Sequence, residues 1–524
     1  MKALGGSMAL VILLASVAYG EVISGTVKDP SGAPLKGVFV RARSDTKSKI
    51  TMSVLSDKQG RYRIENLSPG GYEVWATAVG YKSDPPAGVK VDAGKPASFD
   101  IALQKGMVRW SDLTLYQGEK LMPAGKGKEL LAKNCASCHG WQTRMGATRR
   151  DEAGWTRAVN FMREAMHSRL APTLSDQDAA AVISYLNSTF GVDSDLPRSP
   201  AELPGYKETV RPFSDEGMKI VYVDYELPGP NRMPFSGAPD KDGYIWLAYY
   251  GTLNRIGKLD PKTGEIQEFS VPNQGAAGVH SAFPGPDGTV WMAEQLSNKV
   301  GKWDPSTQKI TEYQDAYLPG KEGTQAGGSK HTVRVDLKGN VWSTGMPLTR
   351  LDPKTGKFTR FSEVPRCYDL TVDKEGSVWF TSGPQIGKVD AKTEKVTKWN
   401  PPTADSFPRR LLVDPDGIVW FGEYNSGKIG RFDPKTETFQ EFQLPGPSPT
   451  PYALGIDKNN NIWYSSDEMD LLGRFDPKTG QVTEYPFPYS ENFLKELFTD
   501  SQGRMWYGTG PNNKVGYFTL ATGN

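Results

Sequence analysis

The carboxyl-terminal part of the chain is written in repeats, and that repetition dictates its architecture. A turn, then Val, Ile or Met, then Trp recurs seven times. The copies are Asp242-Gly243-Tyr244-Ile245-Trp246, Asp287-Gly288-Thr289-Val290-Trp291, Lys338-Gly339-Asn340-Val341-Trp342, Glu375-Gly376-Ser377-Val378-Trp379, Asp416-Gly417-Ile418-Val419-Trp420, Asn460-Asn461-Ile462-Trp463 and Gln502-Gly503-Arg504-Met505-Trp506. Successive tryptophans stand 37 to 51 residues apart. Most are followed by Ile/Val-Gly-Lys/Arg-x-Asp-Pro, as in Ile429-Gly430-Arg431-Phe432-Asp433-Pro434, and a strand such as Phe439-Gln440-Glu441-Phe442 closes the unit. Four strands at this period predict a seven-bladed β-propeller over 218–524. The last unit stops after Val515-Gly516-Tyr517-Phe518, one strand short. Residues Tyr225-Glu226-Leu227-Pro228 compare with Phe442-Gln443-Leu444-Pro445. The amino end of the propeller is therefore expected to complete the last blade and leave no open edge.

At 524 residues the chain needs several domains. Its 62 basic and 60 acidic residues nearly balance, which gives no argument for a nucleic-acid partner. Glycine and proline are abundant beside 13 Trp and 22 Tyr, so turn-rich β structure is expected to dominate. Residues 22–104 alternate apolar and polar side chains between turn signals such as Asp29-Pro30-Ser31-Gly32 and Asp57-Lys58-Gln59-Gly60. This predicts a small antiparallel sandwich. The stretches Gly32-x-Pro34-Leu35-x-Gly37-Val38-x-Val40, Asp57-x-x-Gly60-x-Tyr62 and Leu67-x-Pro69-Gly70-x-Tyr72-x-Val74 resemble the carboxypeptidase regulatory-like family. That resemblance implies a transthyretin-like β-sandwich over 21–106, grouped with carbohydrate-binding-like folds. Its turn and core residues include no catalytic set, so it implies a spacer or a dock for a glycan or partner.

One pentapeptide carries the strongest chemistry. Cys135-Ala136-Ser137-Cys138-His139 is the c-type haem attachment pattern, in which two thiols add to the haem vinyl groups and the histidine binds iron. It uses two of three cysteines and one of four histidines, and no second Cys/His pair exists for a zinc site. The remaining cysteine, Cys367, reads as a buried thiol. With Leu130-Leu131-Ala132-Lys133-Asn134 before it and Gly140 after it, the motif resembles the cytochrome c family. Residues 107–192 are expected to be helical, with one helix running from Gly125 into the motif and another opening at Ser175-Asp176-Gln177-Asp178. Met145, Met162, Met166 and His167 are candidates for the second axial ligand. The run Trp155-x-x-x-Val159-x-x-Met162, followed by Leu174-Ser175, resembles small cytochromes whose methionine sits there, which implies His139 and Met162 as the iron ligands of one covalent haem c. Pro-rich 193–217 reads as a semi-rigid linker. Lys2, the apolar run Met8 to Val17, and Ala18-Tyr19-Gly20 read as a signal peptide over 1–20. They predict a periplasmic or secreted protein with no membrane span after cleavage.

The repeat register also proposes a channel lining. Eleven residues before each Trp stand Phe235, His280, His331, Tyr368, Arg409, Tyr452 and Lys495. Three residues after the Trp of the His280 unit stands Glu294. Trp420-Phe421-Gly422-Glu423 and Lys428-Ile429-Gly430-Arg431 resemble the virginiamycin B lyase family, a seven-bladed propeller that opens a macrocyclic lactone by elimination with Mg²⁺. The resemblance implies His280, His331 and Glu294 as catalytic. Ser329 and Gly345-Met346 stand where the family carries acidic residues, which removes hard oxygen ligands from Mg²⁺. The expected whole is a mainly β multidomain chain. It is an exported mono-haem cytochrome fused to a propeller, passing electrons to a redox partner protein. The propeller is its module for a partner or for a small-molecule or glycan ligand. The alternatives are a lyase with His280 or His331 as general base, and a protein that only binds its ligand.

Overall fold

The computed structural model describes residues 21–82, 84–134, 140–168, 174–315 and 329–521, with the side chains of 165–168 left out. The expected signal peptide and the haem motif at 135–139 lie outside the described residues.

The repeats fold as seven four-stranded antiparallel sheets. Six are continuous, over 234–270, 279–314, 333–361, 370–399, 408–443 and 451–486. Every residue of second strands such as Ile245–Tyr249, Val378–Ser382 and Ile462–Ser466 is buried, because each sheet is covered on both faces by its neighbours. Outer strands such as Thr438–Gln443 alternate instead. The innermost strand Pro234–Pro239 packs against Val279–Pro284 on one side and Phe498–Thr499 on the other, so the sheets close into a ring. The seventh blade takes its fourth strand, Ile220–Tyr225, from the start of the propeller. It pairs with Lys514–Leu520 in the register Tyr517↔Val223.

One tie recurs at the turn before each Trp. Asp240, Asp336, Asp373, Asp414, Asp457 and Asp500 each accept the indole N–H of the Trp six residues on, at 2.8–3.0 Å. Their other carboxylate oxygen accepts a backbone N–H four residues on. The turn needs a left-handed residue, which explains Gly376 (φ 85°) and Gly417 (φ 85°) and the Asn460 (φ 64°) that replaces glycine in the sixth blade. The second blade departs from this pattern. Gly285 occupies the aspartate position, and Asp287 bonds Thr289 instead.

The amino-terminal module is a sandwich around Ile23, Val40, Ile64 and Val74. One sheet is mixed rather than antiparallel throughout, because Glu21–Lys28 also pairs in parallel with Ala97–Ser98 and Ile101–Ala102. The other sheet does not end at its own edge. Thr51–Leu55 pairs with Ile220–Tyr225 (Thr51↔Asp224, Ser53↔Tyr222), which fuses sandwich and seventh blade into one eight-stranded sheet.

Between them lie helices α1 (Leu115–Leu121), α2 (Lys126–Asn134), α3 (Glu152–Ser168) and α4 (Asp176–Phe190). Thr114 and Ser175 cap α1 and α4 by accepting the N–H groups of Gln117 and Asp178. Helix α4 crosses α2 so closely that a Cβ at Gly127 would meet Tyr185 Cβ at 2.2 Å. Residues 193–217, expected as a linker, are packed down. Pro197 O accepts the Trp110 indole N–H at 2.8 Å, and Arg211 bonds Glu484 of the sixth blade at 2.7 Å.

Asp373→Ala is expected to destabilise the chain by about 2–3 kcal/mol, since it orphans a buried indole N–H and two turn amides. A fall in the thermal midpoint of the propeller measures it.

Candidate functional site

The helical segment folds around an apolar cavity of about 400 Å³. Its walls come from Leu131 of α2, from Trp155, Val159 and Met162 of α3, and from Val182 and Leu186 of α4. Met145 lines it too, with Arg144, Arg150, Arg157 and Arg163. Leu131 stands on the helix that ends at Asn134, four residues before Cys135 in the sequence. A haem held by His and Met asks for apolar walls and a soft thioether within the pocket, and its carboxylates are matched by cations. The cavity provides all three. Of the axial candidates, Met145 and Met162 both line it. Cys135, Cys138 and His139, and the side chains of Met166 and His167, lie outside the described residues.

The second site is the propeller ring. His280 and His331, from adjacent blades, have ring centroids 3.6 Å apart. The seven positions eleven residues before each Trp do converge there. Phe235 packs edge-on to His280 at 5.2 Å, His331 lies 4.4 Å from Tyr368, and the Tyr368 and Tyr452 hydroxyls bond each other. Arg409 lies over Tyr452 at 5.0 Å, and Lys495 Nζ is 4.1 Å from the Tyr452 centroid. Burial pushes both histidines well below the usual imidazole range, with help from Arg410 and Lys495. Both imidazoles are therefore held neutral, each with one N–H donor and one acceptor nitrogen. Beneath the ring, Arg410 bonds Asp369 at 2.7 Å and Thr332 at 2.8 Å.

Glu294 is buried at the end of Val290–Glu294, but its contacts lie within its own blade. It accepts from Ser297 at 2.8 Å, beside Glu312, and burial raises its carboxyl to about 8. Glu423 in the fifth blade repeats this arrangement with Ser426 and Glu441, its carboxyl raised to about 7 by burial. The repeat makes the Glu-x-x-Ser pair a feature of blade construction, and no contact joins Glu294 to the imidazoles among the described residues. The residues near the imidazole pair are cations and aromatics. Among the described residues no group of three His, Cys, Asp or Glu side chains is placed to hold a metal. This donor set does not fit Mg²⁺, which requires several oxygen ligands.

One turn joins the two sites. Residues 467–470 connect Ile462–Ser466 with Leu471–Phe475 in the sixth blade. Asp467 lies 3.9 Å from Lys495 in the ring. Glu468 O accepts the N–H of Tyr116 in α1 at 2.9 Å. Asp470 accepts from Asn492 N at 2.8 Å and from Gln142 Nε2 at 3.3 Å. Beside it, Glu491 accepts from Thr143 N at 3.2 Å. Gln142 and Thr143 follow the haem motif by three and four residues. Nothing in the sequence alone pairs these carboxylates with the helical segment, because the partners are more than 300 residues apart.

Comparison with known proteins finds three families along the chain. Residues 22–104 match the carboxypeptidase regulatory-like domain, 122–186 match cytochrome c oxidase, cbb3-type, subunit III, and 355–523 match the virginiamycin B lyase family. None of the curated proteins compared with the chain matches it. Among solved structures, a streptogramin B lyase is similar at 25% identity and TM-score 0.52, over 59% of this chain and 100% of that one. Virginiamycin B lyase from Staphylococcus aureus is similar at 22% identity and TM-score 0.51, over 57% and 99%. The chain thus joins a cytochrome-like segment to a lyase-like propeller fold.

Burial raises the Asp470 carboxyl to about 8, with Glu491 and Asp467 adding to it. Its folded pKa lies above the unfolded value. Between roughly pH 4 and 8 the folded chain keeps a proton that the unfolded chain releases, so stability falls as pH rises through that window. Asp470→Asn, which mimics the protonated form, is expected to flatten this fall. Thermal midpoints from pH 5 to 8 check it.

Proposed function

We propose that the chain is an exported mono-haem c-type cytochrome whose propeller binds the molecule or partner with which it exchanges electrons. The cavity among α2, α3 and α4 carries the reading. It opens on the helix that leads into Cys135, offers thioethers in apolar walls, and lies in the cytochrome-like segment. In this reading Cys135 and Cys138 hold one haem covalently, and His139 and Met162 are its axial ligands. A bound haem of this ligation supplies one-electron transfer at a raised potential. The chain's own residues exclude water with Trp155, Val159 and Leu186, and offer Arg150 and Arg157 to the haem carboxylates. Export agrees with the chemistry, because covalent haem attachment takes place outside the bacterial cytoplasm. Among the described residues no helix is long and apolar enough to cross a membrane. The units of this reading are the sandwich at 21–106, the cytochrome at 107–192, the connecting 193–217 and the propeller at 218–524.

A second reading is favoured by the neutral His280–His331 pair. Either imidazole can act as a general base on a carbon acid beside a carbonyl, as in a lactone lyase, with Glu294 in support. Ring opening of a macrocyclic lactone that is lost in His280→Ala, with and without added Mg²⁺, would establish it.

A pyridine haemochrome spectrum of protein made with the haem-attachment machinery is expected to show one c-type haem per chain. Its absence removes the electron-transfer reading. Met162→Ala is expected to lower the reduction potential, whereas Met145→Ala leaves it nearly unchanged. The reverse result transfers the ligand role to Met145.

A further inference from the structure

We propose that the propeller ring is a binding site for a planar aromatic carboxylate. The inference rests on the propeller as a ligand-binding module and names the class of ligand. Its walls are aromatic. Phe235 and Tyr250 stack at 4.3 Å and 12°, and Tyr368, Tyr424 and Tyr452 face them from the other blades across the His280–His331 pair. Arg409 stands among these rings, 4.0 Å above Tyr424 and 5.5 Å from Tyr368. Among the described residues it has no carboxylate within ion-pair distance, and its Nε is buried without a hydrogen-bond partner. Its Nη1 reaches the Tyr368 hydroxyl at 3.4 Å and the charge of Asp467 acts on it, so among the described residues aromatic faces and a carboxylate beyond ion-pair distance, rather than an ion pair, hold this partly buried charge. Its fork matches a carboxylate with two parallel N–H donors, which a neutral lactone or an uncharged sugar cannot use.

The charges around it agree. Lys495 and Arg409 both face the ring, whereas Asp467, 3.9 Å from Lys495, is the carboxylate set against them. Arg410 below is already matched by Asp369 at 2.7 Å. An anion entering the ring would give Arg409 an ion pair that no described carboxylate makes with it. His280 Nδ1, buried and without a partner, offers a neutral polar contact for a substituent at the far end of the ligand. Tyr368, Arg409 and Tyr424 are partly exposed, so the side of the ring that reaches solvent is the one that carries the guanidinium.

Isothermal titration of the haem-loaded full chain with 4-hydroxybenzoate and with neutral 4-hydroxybenzamide reads the claim. The acid is expected to bind about tenfold tighter or more, with the gap narrowing at high salt. Arg409→Gln is expected to abolish the gap while the haem spectrum stays as in the unaltered chain. Equal affinity for acid and amide overturns the assignment, as does an absence of heat with both at millimolar concentration. A gap that survives Arg409→Gln overturns it too. Should that variant fail to fold, the acid and amide comparison on the unaltered chain decides alone. Tight binding of the acid without haem reduction leaves the site assigned and removes only its role as the electron donor's seat.

Discussion

The strand Ile220–Tyr225 holds the molecule together. It bonds Lys514–Leu520 along one edge and Thr51–Leu55 along the other. With the first pairing the propeller closes, and the second uses the edge that closure would leave on the outside of the last blade. Two liabilities of β structure, the open ring and the bare edge, are thus resolved by one segment. Its side chains fix it in place. Tyr222 is fully buried and donates to Pro486 O at 2.7 Å, and Asp224 accepts from Tyr507 at 2.6 Å and Tyr489 at 2.8 Å. The sandwich docks on this strand, and the helical segment is set against the sixth blade by contacts of its own, Tyr116 on Glu468 and Gln142 on Asp470.

That placement gives the turn at 467–470 its importance. In the ring Lys495 lies 3.9 Å from Asp467, and three residues further on Asp470 holds Gln142 of the helical segment. The carboxyls of buried Asp467 and Asp470 and of half-buried Glu468 all lie above the usual carboxylate range, chiefly through desolvation. Two centres of different chemistry therefore share one short, charged, well-packed segment.

Much of this was legible in the residues, and the parts that were not have physical causes. Seven Trp-centred repeats specify the blades, because each buried strand writes a run of apolar residues. Their common register brings Phe235, His280, His331, Tyr368, Arg409, Tyr452 and Lys495 to one place. The helix opened by Ser175 and the one running to Asn134 follow from capping and composition. The aspartate six residues before six of the seven Trp is nearly as periodic and could have been found by extending the repeat backwards. Glu294 shows the limit of register. It sits near His280 in the alignment of strands, yet its side chain is used within the blade by Ser297. Neither the sandwich's pairing with Ile220–Tyr225 nor the docking of Gln142 on Asp470 has a local signal. Both are contacts between distant edges and loops. The packed state of 193–217 was hidden for the same reason.

The missing aspartate of the second blade has a bearing on the ring. Six blades clamp their turn to their central Trp through a carboxylate, while Gly285 leaves Trp291 without one. The loosened blade is the one that bears His280. Local opening is easiest where such ties are fewest. The two imidazoles are therefore held differently: His280 stands on the blade without this tie, and His331 on a blade that keeps it through Asp336 and Trp342.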